Sequence, residues 1–316
     1  MRLELLGLEI AVRGEAGATV AAALAGMAAP GAPSSRPAIV LETELARTPQ
    51  PIDGPTIFFH HPLRAARRGD AIAIGDGSSL LVVAGDGARV RASLAPEALA
   101  RPEELAALHL PVALAFALRH HGVYHLHAAA LVRGDGAILV AGQSGAGKTT
   151  LALALLDAGL GWLCDDAAFL AEREGVPAVA GVPRPFHVHE RTLGAFPGAS
   201  ASAGPASAAA RHDLDPEAVW PSRLRRGASR PSALLFPEVS GGPETLLSPL
   251  APADALGRLV EASALLVVDG AARPAEHLDL LGRIAGAVPA LRVELGEDLL
   301  RAPAKVARRV LAAIGP

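Results

Sequence analysis

Residues 137–166 read AILVAGQSGAGKTTLALALLDAGLGWLCDD. An apolar strand pattern leads into a glycine-rich loop, and a helix pattern rich in alanine and leucine follows the loop. The loop, Gly142 to Thr149, matches G-x-x-x-x-G-K-[ST] at every defined position. Glycines let backbone N–H groups converge on phosphate oxygens, and the helix N-terminus adds partial positive charge. The stretch therefore predicts a phosphate-binding loop between a strand and a helix.

Two side chains of this loop have a predicted chemical role. Lys148 can reach the β- and γ-phosphates of a nucleotide, and the hydroxyl of Thr149 can ligate Mg²⁺. ATP and Mg²⁺ are therefore the expected cofactors, and no base-reading motif distinguishes ATP from GTP. The residues predicted to bind the nucleotide are Gly142, Gln143, Ser144, Gly145, Ala146, Gly147, Lys148, Thr149 and Thr150.

Composition limits the function classes. The 316 residues are 51% hydrophobic and 19% charged, which permits a buried core, and the net charge of −3 gives no reason to expect nucleic acid or an anionic membrane as partner. The longest apolar run, Leu110 to Leu118, is far shorter than the roughly 20 residues of a membrane span. Glu4 and Glu9 interrupt the N-terminal apolar run, so no signal peptide is predicted. With one cysteine, Cys164, the chain fits a reducing cytoplasm.

The chain pattern predicts an α/β fold, with a P-loop core at residues 106–316 and a smaller N-terminal α+β domain at residues 1–105. In the N-terminal part, Gly-Asp-Gly punctuation at Gly75–Gly77 and Gly85–Gly87 predicts antiparallel hairpins. Farther on, Val123–Val132 is predicted to form one strand. Gly198–Ala210 contains only Ala, Ser, Gly and Pro and is predicted to be a mobile loop, acting as a lid.

Two adjacent acids follow the next predicted strand. Asp165 and Asp166 lie 17 and 18 residues after Lys148, so one helix and one strand separate them from the loop. A βαβ unit returns such acids to the carboxyl end of the sheet, where the phosphates are expected. An acid in this position suits a kinase, which must accept a proton from a substrate hydroxyl. The alternative for either Asp is a helix cap or turn residue.

Residues 126–166, LHAAALVRGDGAILVAGQSGAGKTTLALALLDAGLGWLCDD, resemble the catalytic domain of the HPr kinase/phosphorylase family. The resemblance implies a P-loop core of the HPr kinase type with His127, Lys148 and Asp166 in the active site. Asp166 would be the base that activates a serine hydroxyl, and Asp165 would help to hold the metal. The same family places a metal-binding Glu downstream, and in HVHERTLG this position is Glu190, with a solvated surface acid as the alternative.

The chain also departs from the family. The family's arginine loop for phosphorolysis is not recognisable, although Arg223, Arg225, Arg226 and Arg230 form a cluster farther along the chain. The N-terminal hundred residues do not match the classical enzyme. The resemblance therefore supports the reaction type and leaves the acceptor open, and it implies a homo-oligomer because the family's members assemble.

Other reactive residue types have simpler explanations. His125 is interpreted as structural, and the pair His187 and His189 lacks the further ligands that a zinc site requires. Cys164 follows an apolar strand and precedes two acids, so a nucleophilic thiolate is disfavoured.

Three functions remain open. The first is an ATP-dependent kinase whose acceptor is a hydroxyl, preferably serine, of a protein or peptide. The second is a small-molecule kinase. The third is a nucleotide-dependent switch or ATPase, which would use a later acid at the end of an apolar strand, as in LLVVD at residues 265–269. The expected partners are ATP and ADP together with the acceptor.

Overall fold

The structure, a computed structural model, describes residues 2–24, 37–47, 51–206, 211–263, 268 and 271–315. It is a mixed α/β protein with several sheets. Contacts divide the chain into an N-terminal unit, Met1–His125 with Leu265–His277, and a C-terminal unit, Leu126–Ala264 with Leu278–Pro316. The domain boundary expected at residue 105 lies inside the N-terminal unit.

The N-terminal unit contains an eight-stranded sheet. Its strands are β1 (Arg2–Leu5), β2 (Leu8–Gly14), β3 (Ile39–Leu45), β4 (Thr56–His60), β5 (Leu63–Arg68), β6 (Ala71–Gly75), β7 (Ser79–Val83) and β8 (Arg89–Leu94). They pair in the order β1-β2-β3-β8-β7-β6-β5-β4. The pairs β2–β3 and β3–β8 are parallel, and the remaining pairs are antiparallel.

The Gly-Asp-Gly punctuation marks the turns that it predicts. The first separates β6 from β7 and the second separates β7 from β8, and both pairs are antiparallel. Asp76 fixes the first turn, because its Oδ1 accepts hydrogen bonds from the backbone N–H groups of Ser78 at 3.0 Å and Ser79 at 3.1 Å. Asp is common in turns because its carboxylate can accept hydrogen bonds from backbone N–H groups of the same turn.

The N-terminal unit also contains four described α-helices. They are α1 (Gly17–Ala23), α2 (Pro96–Leu99), α3 (Pro102–Glu104) and α4 (Leu110–Arg119). The N-cap of α1 is Ala16, and no side chain hydrogen-bonds its first turn. Between α3 and α4, Leu105–His109 forms a π-helical turn. Pro111 lies in the first turn of α4, directly after this π-helical turn.

The strand predicted at Val123–Val132 is two strands. β9 (Val123–Leu126) ends before His127, and β10 (Ala128–Arg133) begins after it. The backbone N–H of His127 donates to the carbonyl of Ala262 at 2.9 Å instead of joining a strand ladder. The alternation of apolar residues in the sequence does not reveal this interruption, because the carbonyl that accepts from His127 belongs to Ala262, far along the chain.

The C-terminal unit is built on a six-stranded sheet. The strands of this unit after β10 are β11 (Gly136–Ala141), β12 (Gly161–Cys164), β13 (Ala168–Arg173), β14 (Val176–Gly181), β15 (Phe186–His189), β16 (Arg211–Leu214), β17 (Arg230–Val239), β18 (Leu246–Pro249) and β19 (Ala290–Leu295). The sheet order is β12-β10-β11-β17-β19-β18. Strands β11, β17 and β19 are parallel neighbours, while β10 and β18 run antiparallel to theirs.

This topology brings four strand ends to one edge. The carboxyl ends of β11, β17 and β19 lie together because the strands are parallel. Strand β12 is antiparallel to β10, which is antiparallel to β11, so β12 also runs in the direction of β11. The loops after these strands therefore emerge where ligands bind in open α/β sheets. Strands β13 and β14 form a separate antiparallel hairpin, and β15 pairs with β16.

The remaining helices are α5 (Lys148–Asp157), α6 (Glu190–Leu193), α7 (Pro197–Ser200), α8 (Pro216–Val219), α9 (Pro252–Glu261), α10 (Pro274–Ala287), α11 (Asp298–Arg301) and α12 (Pro303–Ala313). Helix α5 is the centre of the core, and every residue from Leu151 to Leu156 is completely buried. It packs against α12, β10, β11 and β15. Its apolar surface on all sides is typical of a helix enclosed by other elements.

The stretch expected to be a mobile loop, Gly198–Ala210, begins with a short helix and continues as turn and loop over residues 201–205. Its mobility stays a prediction. Residues from Pro197 form α7, in which Ala199 is fully buried, and Ala206 makes a β-bridge with His212. Residues 207–210 lie outside the described residues, as does most of the LLVVD stretch at 265–269. Among the described helices, none has the length and apolar character needed to cross a membrane.

Candidate functional site

The glycine-rich loop joins the end of β11 to the start of α5. Gly147 is the N-cap of α5 and has a left-handed φ of +92°. A Cβ at Gly147 would collide with the side chain of Leu295, which ends β19. Gly145 is also left-handed, with φ of +81°, but nothing lies close to it. Glycine is therefore required twice in this loop, once for conformation alone and once also for space.

Lys148 is buried at the first turn of α5, with 7% of its surface exposed. Its ammonium donates to the carbonyl of Gly142 at 2.8 Å and to that of Gln143 at 3.0 Å. Burial lowers the pKa of Lys148, and the nearby charges of Asp165 and Asp166 oppose that shift. The lysine charge and the two acids therefore lie within electrostatic reach of one another.

Thr149 and Asp165 are in direct contact. The threonine hydroxyl donates at 3.1 Å to either carboxylate oxygen of Asp165. Burial raises the pKa of Asp165 to about 7, the charge of Asp166 adds to the rise, and the bond from Thr149 opposes it. A buried carboxylate with a raised pKa favours a proton or a cation beside it.

A cavity of about 560 Å³ lies at this edge of the sheet. Nine residues predicted from sequence line it: His127, Ser144, Gly145, Gly147, Lys148, Thr149, Thr150, Asp165 and Asp166. Gly142, Gln143 and Ala146 line a smaller cavity of about 140 Å³ instead. The structure thus brings the predicted lysine, threonine, histidine and aspartates together around one space.

Glu190, the predicted third metal ligand, does not line either cavity. Its Oε2 pairs with Nε2 of His212 at 2.7 Å, and 81% of its side chain is exposed. In the described part of the chain, no three side chains of the His, Cys, Asp and Glu types form a metal-binding group. Thr149 and Asp165 are therefore the predicted metal ligands that the structure places side by side.

Sequence reasoning missed several residues of the cavity wall. Arg191, Thr192 and Arg211 line it together with His187 and His189. Thr192 contacts the loop helix directly, because its hydroxyl lies 3.0 Å from that of Thr150. The alternation in FHVHER could have indicated a strand with one polar face. No local signal marks Arg211, which arrives from the partner strand β16.

Apolar residues line another part of the cavity: Val239, Leu295, Leu299 and Leu300. They belong to the ends of β17 and β19 and to α11.

Arg184 is a further residue that the sequence analysis did not single out. Burial lowers the pKa of Arg184 and the charge of Asp166 opposes that shift, so its guanidinium lies within electrostatic reach of Asp166.

The arginine cluster after residue 222 lies elsewhere. Arg223 donates to the carbonyl of Gly159, and Arg225 donates to that of Ser222 at 2.9 Å. The backbone of this segment runs beside β12, where Trp162 bonds the carbonyl of Arg223 at 3.0 Å. None of the cluster's four arginines lines the two cavities described above. Arg223 and the backbone beside it therefore contact β12, the edge strand of the sheet, and the segment that leads into it.

Comparisons with known proteins give only a distant likeness. No protein-family model matches the chain, and a search of curated proteins finds no match. Among solved structures, the HPr(Ser) kinase/phosphatase from Coxiella burnetii is similar over 60% of this chain and 89% of its own, with 14% identity and a TM-score of 0.30. A likeness this distant carries no argument about activity, so the function rests on the site itself.

Proposed function

We propose that this protein is an ATP-dependent kinase that transfers the γ-phosphoryl group of ATP to a serine hydroxyl of a protein or peptide. One observation carries the proposal: a lysine, a threonine and two aspartates line a single cavity beside a glycine-rich loop and a helix N-terminus. They are Lys148, Thr149, Asp165 and Asp166. Phosphoryl transfer requires positioning of the phosphates, neutralisation of their charge and a base, and these four side chains can provide all three.

The loop and α5 would hold the phosphates. Backbone N–H groups at the start of α5 attract anions, and the two left-handed glycines leave space for a close approach. The ammonium of Lys148 now bonds to two carbonyls of the loop. In the complex with ATP it would exchange these partners for phosphate oxygens, where its charge offsets the charge of the transferring group.

Thr149 and Asp165 fit a magnesium ion. Both present oxygen atoms, which Mg²⁺ prefers, and they lie 3.1 Å apart. The raised pKa of Asp165 also supports a magnesium site here. A cation beside this buried carboxylate would favour its ionised form. When present, Mg²⁺ supplies positive charge to the phosphates.

Asp166 would accept the acceptor's proton. It lines the cavity and is less buried than Asp165, so an incoming hydroxyl can reach it. In the step, the hydroxyl oxygen bonds to the γ-phosphorus, the bond to the β,γ-bridging oxygen breaks, and the proton passes to Asp166. ADP leaves with the bridging oxygen. His127 lines the same cavity and would orient the acceptor or the γ-phosphate.

Transfer of γ-labelled phosphate tests the proposal. The protein is incubated with labelled ATP, Mg²⁺ and lysate of the native host, and the products are separated into polypeptide, small-molecule and free-phosphate fractions. We expect label in a discrete polypeptide. Label in a small molecule would indicate a metabolite kinase, and free phosphate alone would indicate an ATPase or switch.

Two variants with matched controls sharpen the assay. Lys148→Ala should weaken ATP binding about 10-fold or more and abolish transfer, while Lys305→Ala, on an exposed position of α12, should change neither. Asp166→Asn should keep ATP binding and lower transfer about 100- to 10,000-fold. Asp135→Asn, in the exposed turn before β11, is its control. Full transfer by Asp166→Asn would show that another group is the base.

A further inference from the structure

Four side chains form one wall of the cavity, and we call them the basic rim: His187, His189, Arg191 and Arg211. In β15 the burial alternates, so Phe186 and Val188 enter the core while the two histidines stay exposed. Strand β16 pairs Arg211 opposite His189. Directly opposed residues of an antiparallel pair share a face. The rim is therefore one polar face of a two-stranded sheet. Arg191, at the start of α6, continues this face.

The charges around the rim leave it with positive character. Arg191 and Arg211 are always protonated, because guanidinium groups do not titrate in proteins. Within the described part of the chain, no carboxylate forms an ion pair with Arg191. The charge of Arg211 acts on Asp165 and opposes the rise of the pKa of that acid. His187 is paired with Asp213 at 2.7 Å. Glu297, the remaining acid of the cavity wall besides the aspartate pair, is paired with Arg301.

The rim and the glycine-rich loop lie at different depths. Lys148 and Asp165 are buried, whereas all four rim residues are exposed to solvent. Buried groups and the start of α5 already provide the contacts that nucleotide phosphates need. A second substrate entering from solvent meets the exposed rim first. His189 and Arg191 are thus exposed to a substrate other than the nucleotide, while Arg211 also faces the charge of Asp165.

We propose that the basic rim binds carboxylates that flank the acceptor's hydroxyl, so that the acceptor is an acidic segment of polypeptide. This inference rests on the proposed kinase function and adds the class of acceptor. Carboxylates match the planar, two-pronged donor geometry of arginine, and histidine supplies further hydrogen-bond donors. The rim's exposed, extended strand can accompany a chain over several residues, which a small anion would not require.

Peptide binding tests this proposal without any phosphoryl transfer. Three fluorescent peptides carry a central serine flanked by acidic residues, by their amide counterparts, or by basic residues. Their binding is measured by fluorescence anisotropy with and without MgADP. We expect the acidic peptide to bind about 10-fold tighter than the amide peptide, because charge-assisted hydrogen bonds exceed neutral ones. The basic peptide should bind weakest.

Rim variants identify the site. Arg191→Ala should reduce the preference for the acidic peptide to about 2-fold or less and leave MgADP affinity unchanged. Arg308→Ala removes the same charge from an exposed position of α12 and should keep the preference. Arg191→Lys should keep part of the preference, since lysine retains the charge without the planar fork.

The outcomes separate the two proposals. Equal binding of the three peptides, or binding of none, would overturn the acidic acceptor, and so would an equal loss of MgADP and peptide binding in Arg191→Ala. Displacement of the acidic peptide by L-malate at comparable concentration would assign the rim to a small hydroxy acid and reject a polypeptide acceptor. A retained charge preference without any labelled product would contradict the kinase function alone.

Discussion

The hydroxyl of Thr149 lies 3.1 Å from each carboxylate oxygen of Asp165. This contact joins the first turn of α5 to the end of β12, two elements that the chain brings together only when the sheet forms. It also leaves the acid almost fully buried, with 7% of its surface exposed. A carboxylate in this position makes the stability of the protein depend on pH.

We predict that Asp165→Asn is more stable than the wild-type protein at about pH 8, by up to about 4 kcal/mol. The folded pKa is raised from 3.8 to about 7, mainly by burial. Between these values the folded state holds a proton that the unfolded chain releases, so wild-type stability falls as pH rises. The two proteins should have equal stability at about pH 4.

Urea unfolding across that pH range measures the difference, and Asp135→Asn controls for loss of an exposed acid. Adding MgADP should shrink the gap at high pH, because a cation favours the ionised carboxylate. A gap that does not change with pH, or an Asn variant that is less stable at about pH 8, would contradict burial as the cause of the raised pKa.

Alanine at two glycines of the loop should have unequal effects. Gly145→Ala places a side chain in a left-handed residue with open space around it, which costs about 1–2 kcal/mol. Gly147→Ala carries the same strain and also pushes against the buried side chain of Leu295, which adds about 1–3 kcal/mol. Denaturant unfolding of both variants gives the comparison. Equal losses would show that the loop can move away from Leu295.

Cys164 should be inert to thiol reagents in the folded protein. It is completely buried, and its Sγ lies 3.7 Å from the carbonyl of Ala128, to which it donates. Burial raises the pKa of its thiol, and the neighbouring charges of Asp166 and Asp165 add to the rise. Since the thiolate is the reactive form, an aromatic disulfide reagent should react only after denaturation. Rapid stoichiometric reaction of the native protein would mean that β12 opens.

Local patterns predicted the elements around the loop well. The strand before Gly142 and the helix after Gly147 formed where expected, because apolar periodicity and the glycine spacing are local properties. Helix α9 begins at Pro252 and α12 begins at Pro303. Proline suits the first turn of both helices, where its missing N–H has no partner to lose.

The predictions failed where a distant partner decided the structure. The strand expected at Val123–Val132 is interrupted, because His127 bonds to Ala262. The stretch expected to be a lid begins with α7, whose Ala199 is buried in the core, although residues 201–205 form the expected turn and loop. A composition of small residues indicated a loop, but small side chains also pack closely against other elements.

The sequence by itself determined the phosphate-loop pattern, the strand and helix on either side of it, and the acids one helix and one strand later. Each of these depends on residues within about thirty positions, where spacing alone fixes the geometry. Only the tertiary structure decided that Thr149 meets Asp165, that Glu190 turns to His212, and that Arg211 joins the cavity wall. Those contacts require strand pairing and core packing, which are set by hydrogen bonds and buried apolar surface shared between segments far apart in the chain.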